Sequence, residues 1–121
     1  MYNYYYLRID CDNVGDKIEL ALYNEDPESA QKISDIIKEN ISWLIDELTL
    51  KFNAKILLIG SDDILCEIKN ESFNFEVLQN IHLEFYKKTN ITLSVGIGNS
   101  IINSLINLKI AKISGKNKIV K

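Results

Sequence analysis

A chain of 121 residues with a formal charge of −3 is long enough for one hydrophobic core and too short for a second. Its 46% hydrophobic and 26% charged residues are the balance of an ordinary globular domain, and no apolar run approaches the ~18 residues that cross a bilayer. The acidic balance provides no global basic field, which argues against direct nucleic-acid binding. The start has no charged-then-apolar leader, so the expectation is one domain over residues 1–121, cytoplasmic and without a membrane segment. The two cysteines, Cys11 and Cys66, lack the spacing of a disulfide framework or zinc site and read as small residues packed near strand ends.

Residues 2–9, rich in aromatic and branched side chains, predict a first strand. Gly15 breaks it, and residues 16–23 suit a short helix. Asp26-Pro27 starts a helix, Asp as cap and Pro in the first turn, and Ile33, Ile36, Ile37, Ile41, Leu44, Leu48 and Phe52 carry an amphipathic period to about residue 51. Residues 54–59 and 64–68 predict two strands joined by the acidic turn Gly60-Ser61-Asp62-Asp63. A second long helix is expected over 73–88 and a strand over 91–98. Asn99 or Ser100 then caps a helix to about residue 114, stopped at Gly115, and 117–120 make a short last strand. The first six major elements follow the order β-α-β-β-α-β of the ferredoxin-like, split β-α-β fold, with a C-terminal helix and strand added; the fold class is α+β.

That topology brings two acidic stretches together. The third strand lies between the first and second and runs against both, so Asp10 at the end of the first lies beside Asp62 and Asp63 in the hairpin. Carboxylates crowded in this way repel unless protonated or neutralised by a cation. Magnesium uses a few carboxylate oxygens and fills its remaining positions from substrate phosphates. The expected ligand set is Asp10, Cys11, Asp62 and Asp63, with Asp10 bridging two Mg2+ or Mn2+ ions in a phosphoryl-transfer site. The main-chain amides of Asn13, Val14 and Gly15 could hold a triphosphate. Lys109, Lys112 and Lys116 would form one helical face that neutralises its charge.

Each feature has a plainer reading: an ordinary turn, an ordinary strand exit, a solvated lysine row. Their convergence on one sheet edge favours function. His82, without a His or Cys nearby in sequence, reads as a core-edge histidine. Tyr4, Tyr6 and Arg8, the only arginine, share the side of Asp10, where sheet packing is the expected role.

With these residues in view, the chain resembles the palm domains of GGDEF-type and CRISPR type III nucleotidyl cyclases. Ile9-Asp10-Cys11-Asp12-Asn13 is similar to their first-strand Asp-x-Asp motif, and Gly60-Ser61-Asp62-Asp63 to their Gly-Gly-Asp-Asp or Gly-Gly-Asp/Glu-Glu-Phe hairpin. Thr92-Leu93-Ser94-Val95-Gly96-Ile97 resembles the Ser-x-Gly strand. The closing Ala-Lys-x-x-Gly-Arg-Asn-Arg segment is matched by Ala111-Lys112-Ile113-Ser114-Gly115-Lys116-Asn117-Lys118. Its compactness most resembles the minimal CRISPR polymerases, stand-alone palm cyclases of bacterial anti-phage loci. The resemblance implies a metal-dependent cyclase making a cyclic dinucleotide from ATP. In Panoptes-type defence that product keeps a separate membrane effector inactive. Two nucleotides must meet face to face, so a homodimer is the expected assembly.

There are departures. Ser61 replaces the second glycine. Ile18 and Glu19 stand where diguanylate cyclases carry the Asn-Asp pair that reads guanine, which favours adenine. The Arg-x-x-Asp inhibition motif before the hairpin is absent, and Lys116 and Lys118 replace arginines, keeping charge without the bidentate fork. Two other functions compete: a catalytically silent palm-like module that binds a nucleotide or scaffolds a partner, and an RNA-binding β-α-β-β-α-β domain. The second calls for aromatic central strands and a basic surface, and residues 64–68 contain no aromatic.

Overall fold

The computed structural model describes residues 3–121. Its element order is β1 (Tyr4–Cys11), α1 (Val14–Tyr23), α2 (Pro27–Phe52), β2 (Lys55–Ile59), β3 (Asp63–Lys69), α3 (Phe75–Thr89), β4 (Leu93–Gly98), α4 (Ile101–Ile113) and β5 (Ile119–Val120), with a 3-10 turn at Asn70–Ser72. The five strands form one sheet in the order β2-β3-β1-β4-β5. β1 pairs antiparallel with both β3 and β4, and β5 adds parallel to β4. This is the mixed α+β, ferredoxin-like arrangement with the added helix and strand that the element order predicts. Tyr2, the start of the predicted first strand, lies outside the described residues. At its other end β1 continues through Asp10 to Cys11, two residues beyond the expected limit, because Cys11 still pairs with Leu93.

Alternation along the strands separates two faces. Leu7, Ile9 and Cys11 of β1, Ile64, Cys66 and Ile68 of β3, and Leu93, Val95 and Ile97 of β4 point into the core beneath α2 and α3. α2 supplies Ile37, Ile41, Leu44, Leu48 and Phe52 from the stripe that its helical period predicts, with Ile33 partly buried and Ile36 turned to solvent, and α3 supplies Leu78, Ile81 and Phe85. Side-chain caps fix the start of three helices: Asp26 accepts from the Ser29 amide, Asn74 from Val77, and Ser100 from Asn103. A cap of this kind is worth roughly 1 kcal/mol. His82 sits at the core edge as expected, its Nε2 donating to the Leu93 carbonyl at 2.8 Å.

The opposite face carries Tyr4, Tyr6, Arg8 and Asp10, and α4 packs over β4 and β1 there. A Cβ at Gly96 would overlap the backbone of Ser104 and Leu108, and one at Gly98 would overlap Ser104 and Asn103. Only glycines at these two positions let α4 sit so low, with Ser104 and Ala111 fully buried beneath it. Among the described residues, no helix is long and apolar enough to cross a membrane.

Candidate functional site

Asp10 lies directly opposite Asp63 in the β1–β3 register. The hairpin turns at Gly60, whose amide donates to the Asp63 carbonyl at 2.9 Å. A Cβ at Gly60 would meet the Asp63 carboxylate, which folds back over the turn, so a side chain there would displace that carboxylate from this position. The Cys11 amide donates to the Asp62 carbonyl at 2.9 Å and ties the hairpin tip to the end of β1. One carboxylate oxygen from each of Asp10, Asp62 and Asp63 lies within 4.8 Å of the others.

Two of these carboxylates have cationic partners. Arg8 Nη2 donates to Asp63 Oδ2 at 2.8 Å, and Lys112, reaching down from α4, forms a close ion pair with Asp10. Among the described residues, none forms an ion pair with Asp62, and Lys112 acts on it only at longer range. Its carboxyl is held above the usual carboxylate range by burial first, then by the charges of Asp10 and Asp63. The donor set, three hard oxygens with an excess negative charge, fits a small divalent cation.

Cys11 differs from its neighbours. Its thiol points into the core, and burial first, then Asp10, pushes its ionisation well up, so the side chain is no thiolate donor. What Cys11 brings to the cluster is its main chain.

Asp12 does not join the carboxylate group. It is buried, and its oxygens accept from Ser94 Oγ at 2.7 Å, Thr92 Oγ1 at 2.7 Å and the Asn117 amide at 3.0 Å. The motif's second carboxylate is therefore a fastener between the end of β1, strand β4 and the turn after α4.

Asn13 caps α1 in a left-handed conformation, φ 61°, with no side-chain bond to the helix; its Oδ1 instead accepts from Lys116 Nζ. Val14 and Gly15 form the first turn, and the space beside Gly15 is open. The lysines do not form one helical face as expected. α4 ends at Ile113, and Lys116 (φ 63°) and Asn117 (φ 51°) turn left-handed after it, because the Asn117 amide is drawn to Asp12. Lys112 reaches Asp10 from the helix, Lys116 reaches Asn13 from the turn, and Lys109 stands exposed on α4.

Sequence reasoning missed two features. One is the Arg8–Asp63 pair, whose signal was the shared strand parity of Arg8 and Asp10. The other is a cavity of about 650 Å3 between α1, α2 and the hairpin. Its walls are largely apolar, with Ile18, Ile41 and Ile59, while Ser34, Lys38 and Ser42 enter from α2 and Asp62 borders it. The spacing of those three α2 residues, one turn apart each, was the available hint.

Comparison with known proteins agrees with this architecture. The Csm1–Csm4 cassette in complex with one ATP superposes with a TM-score of 0.75 at 17% identity, over 97% of this chain and 20% of that one. The chain thus spans about a fifth of the length of that relative. The active GGEEF domain of a diguanylate cyclase from Vibrio cholerae superposes with a TM-score of 0.59 at 13% identity, over 98% of this chain and 82% of that domain. Diguanylate cyclase SiaD in complex with its activator SiaC from Pseudomonas aeruginosa gives 0.63 at 14% identity, over 98% and 50%. No curated protein sequence matches. The family model of the minimal CRISPR polymerase domain matches residues 6–121, and the chain belongs to that family.

Proposed function

We propose that this chain is a metal-dependent nucleotidyl cyclase that converts ATP into a cyclic nucleotide, a cyclic di-adenylate, with release of pyrophosphate. The observation that carries the reading is the convergence of Asp10, Asp62 and Asp63, with Asp62 also bordering the cavity that Val14 and Gly15 of α1 line. These three carboxylates, with the Cys11 main chain, would hold two Mg2+ or Mn2+ ions, which when bound assist the attacking hydroxyl and stabilise charge on the leaving pyrophosphate. Bond making is an attack by a ribose hydroxyl of one nucleotide on the α-phosphorus of another; the bond to the pyrophosphate oxygen breaks.

The chain's own groups hold the substrate for that step. Amides of Asn13, Val14 and Gly15 bind phosphate oxygens at the α1 N-terminus. Lys112 and Lys116 offset phosphate charge from one side, with Lys109 further along α4. The cavity is of the size that takes a small organic ligand, and its largely apolar walls suit the faces of a nucleobase. Ile18 and Glu19, in place of an Asn-Asp pair, support adenine. Residues 1–121 act as one domain, two copies form a homodimer that brings two nucleotides together, and the product is read by a separate membrane effector in anti-phage defence.

A second reading has one observation in its favour. Arg8 and Lys112 already satisfy Asp63 and Asp10, as in a palm-like module that binds nucleotide without turning it over. Separate incubations with radiolabelled ATP, GTP, CTP and UTP, with Mg2+ or Mn2+, decide between them. A phosphatase-resistant product from ATP, absent with Asp63→Ala, is the expected result. Nucleotide binding with no product and no pyrophosphate from any nucleotide or mixture supports the silent module.

A further inference from the structure

Arg8 is the only arginine of the chain, and its position is tightly determined. It lies two residues before Asp10 on the same face of β1, with Leu65 opposite on β3 and Gly96 opposite on β4. Gly96 has no side chain, and α4 closes the space above it. The Arg8 side chain is only 16% exposed and extends toward the hairpin, donating from Nη2 to Asp63 Oδ2 at 2.8 Å and from Nη1 to the Ile64 carbonyl at 3.3 Å. One guanidinium N–H on the Asp63 carboxylate and a second on the Ile64 carbonyl make a directional, charge-assisted contact rather than a loose surface pair. Lys112, from α4, makes an ion pair with Asp10.

We propose that Arg8 is a built-in counter-ion that occupies Asp63 while the site is free of metal, and that divalent-cation loading proceeds by exchange, with the guanidinium leaving Asp63 as the cation arrives. The inference rests on the metal-binding reading of Asp10, Asp62 and Asp63 given above. Its physical basis is competition: a cation already seated on a carboxylate lowers that carboxylate's free affinity for another cation. Arg8 keeps the cluster from flying apart when empty and sets how much Mg2+ is needed to fill it.

A single arginine makes the test direct. Its Nε–H gives one assignable side-chain resonance in a 1H–15N spectrum, so Mg2+ can be titrated into the nucleotide-free protein and that signal followed beside the amides of Asp62 and Asp63. The expected result is that all three shift together with one saturation curve. Saturating amide shifts with an unmoved Arg8 signal would overturn the exchange while leaving the metal site intact. No shift of any of them would remove the metal reading and the exchange together. A second arm uses Mn2+ affinity without nucleotide. Arg8→Gln is expected to tighten binding about tenfold, the scale of removing one unit charge that acts over a few ångströms of partly solvated protein. In an Asp63→Asn background the same substitution should change affinity less than about twofold, because the contested carboxylate is gone. Unchanged or weaker Mn2+ binding by Arg8→Gln contradicts the proposal.

Discussion

Asp10 and Asp12 stand two residues apart on the same side of the sheet, and their surroundings could hardly differ more. Asp12 is 2% exposed and accepts from two hydroxyls and a main-chain amide, all neutral donors fixed by β4 and the turn after α4. Asp10 is partly exposed, faces two other carboxylates, and has one flexible lysine for company. A carboxylate surrounded by neutral, rigid donors is already satisfied and serves the fold. One surrounded by like charge and a displaceable cation is poised to exchange partners. Within one Asp-x-Asp motif, the fastener and the residue that joins the carboxylate cluster are distinct.

Three substitutions would break or sharpen that contrast. The largest effect is expected from Asp12→Ala, which strands Thr92, Ser94 and Asn117 without their shared acceptor. At ~1.5–3 kcal/mol for a hydrogen bond to a charged group, the loss should be about 3 kcal/mol or more, read by chemical denaturation. A variant as stable as the wild type would show that Asp12 fastens nothing. Next comes Gly96→Ala, which leaves both aspartates in place but pushes α4 off the sheet. Overpacking of this kind costs about 1–3 kcal/mol and should also separate Lys112 from Asp10, visible as a changed salt dependence of stability. A neutral outcome would mean that the helix seat tolerates a methyl group.

The smallest effect concerns Asp62. Its carboxyl is raised in the fold by burial, then by Asp10 and Asp63, so in chelator the folded state binds this proton more tightly than the unfolded chain does. The contribution of Asp62 to stability therefore falls as pH rises from the ordinary carboxylate value of about 3.9 through the raised folded value, and is flat above it. Melting curves of wild type and Asp62→Asn should diverge across that window, with the wild type losing ground as pH rises. Parallel curves would show that Asp62 feels no such crowding. Divalent cation should reverse the trend, because it binds the ionised wild type more tightly than Asp62→Asn.

Much of this was legible in the sequence because it depends on strong local signals. The apolar period of α2, the caps Asp26 and Ser100, and the split β-α-β order carried the fold, and the fold alone brought Asp10 to the hairpin. What stayed hidden depends on neighbours that no periodicity reports. The same Asp-x-Asp spelling fits a ligand and a fastener, and only the β4 hydroxyls and the left-handed turn at Lys116–Asn117 separate them. That turn also takes Lys116 off the helix, where sequence spacing had aligned it with Lys109 and Lys112. The Arg8–Asp63 pair crosses from β1 to β3 on a diagonal, and strand parity narrows it to a face without naming the partner. The cavity mixes Ile37 and Ile41 of the apolar period with Ser34, Lys38 and Ser42, and only α1 folding against α2 encloses it.

Asp10 is proposed to hold a cation, whereas Asp12 fastens the fold. Calorimetric titration of Mn2+ into Asp10→Asn and Asp12→Asn, each also melted in chelator, tests this division most directly. Asp10→Asn is predicted to lose at least tenfold in Mn2+ affinity while melting no lower than the wild type. Asp12→Asn is predicted to lose about 1–3 kcal/mol of stability, since an amide cannot accept on both sides, and to bind Mn2+ normally wherever it remains folded. Wild-type Mn2+ affinity in Asp10→Asn, or lost affinity in a fully stable Asp12→Asn, would contradict the account.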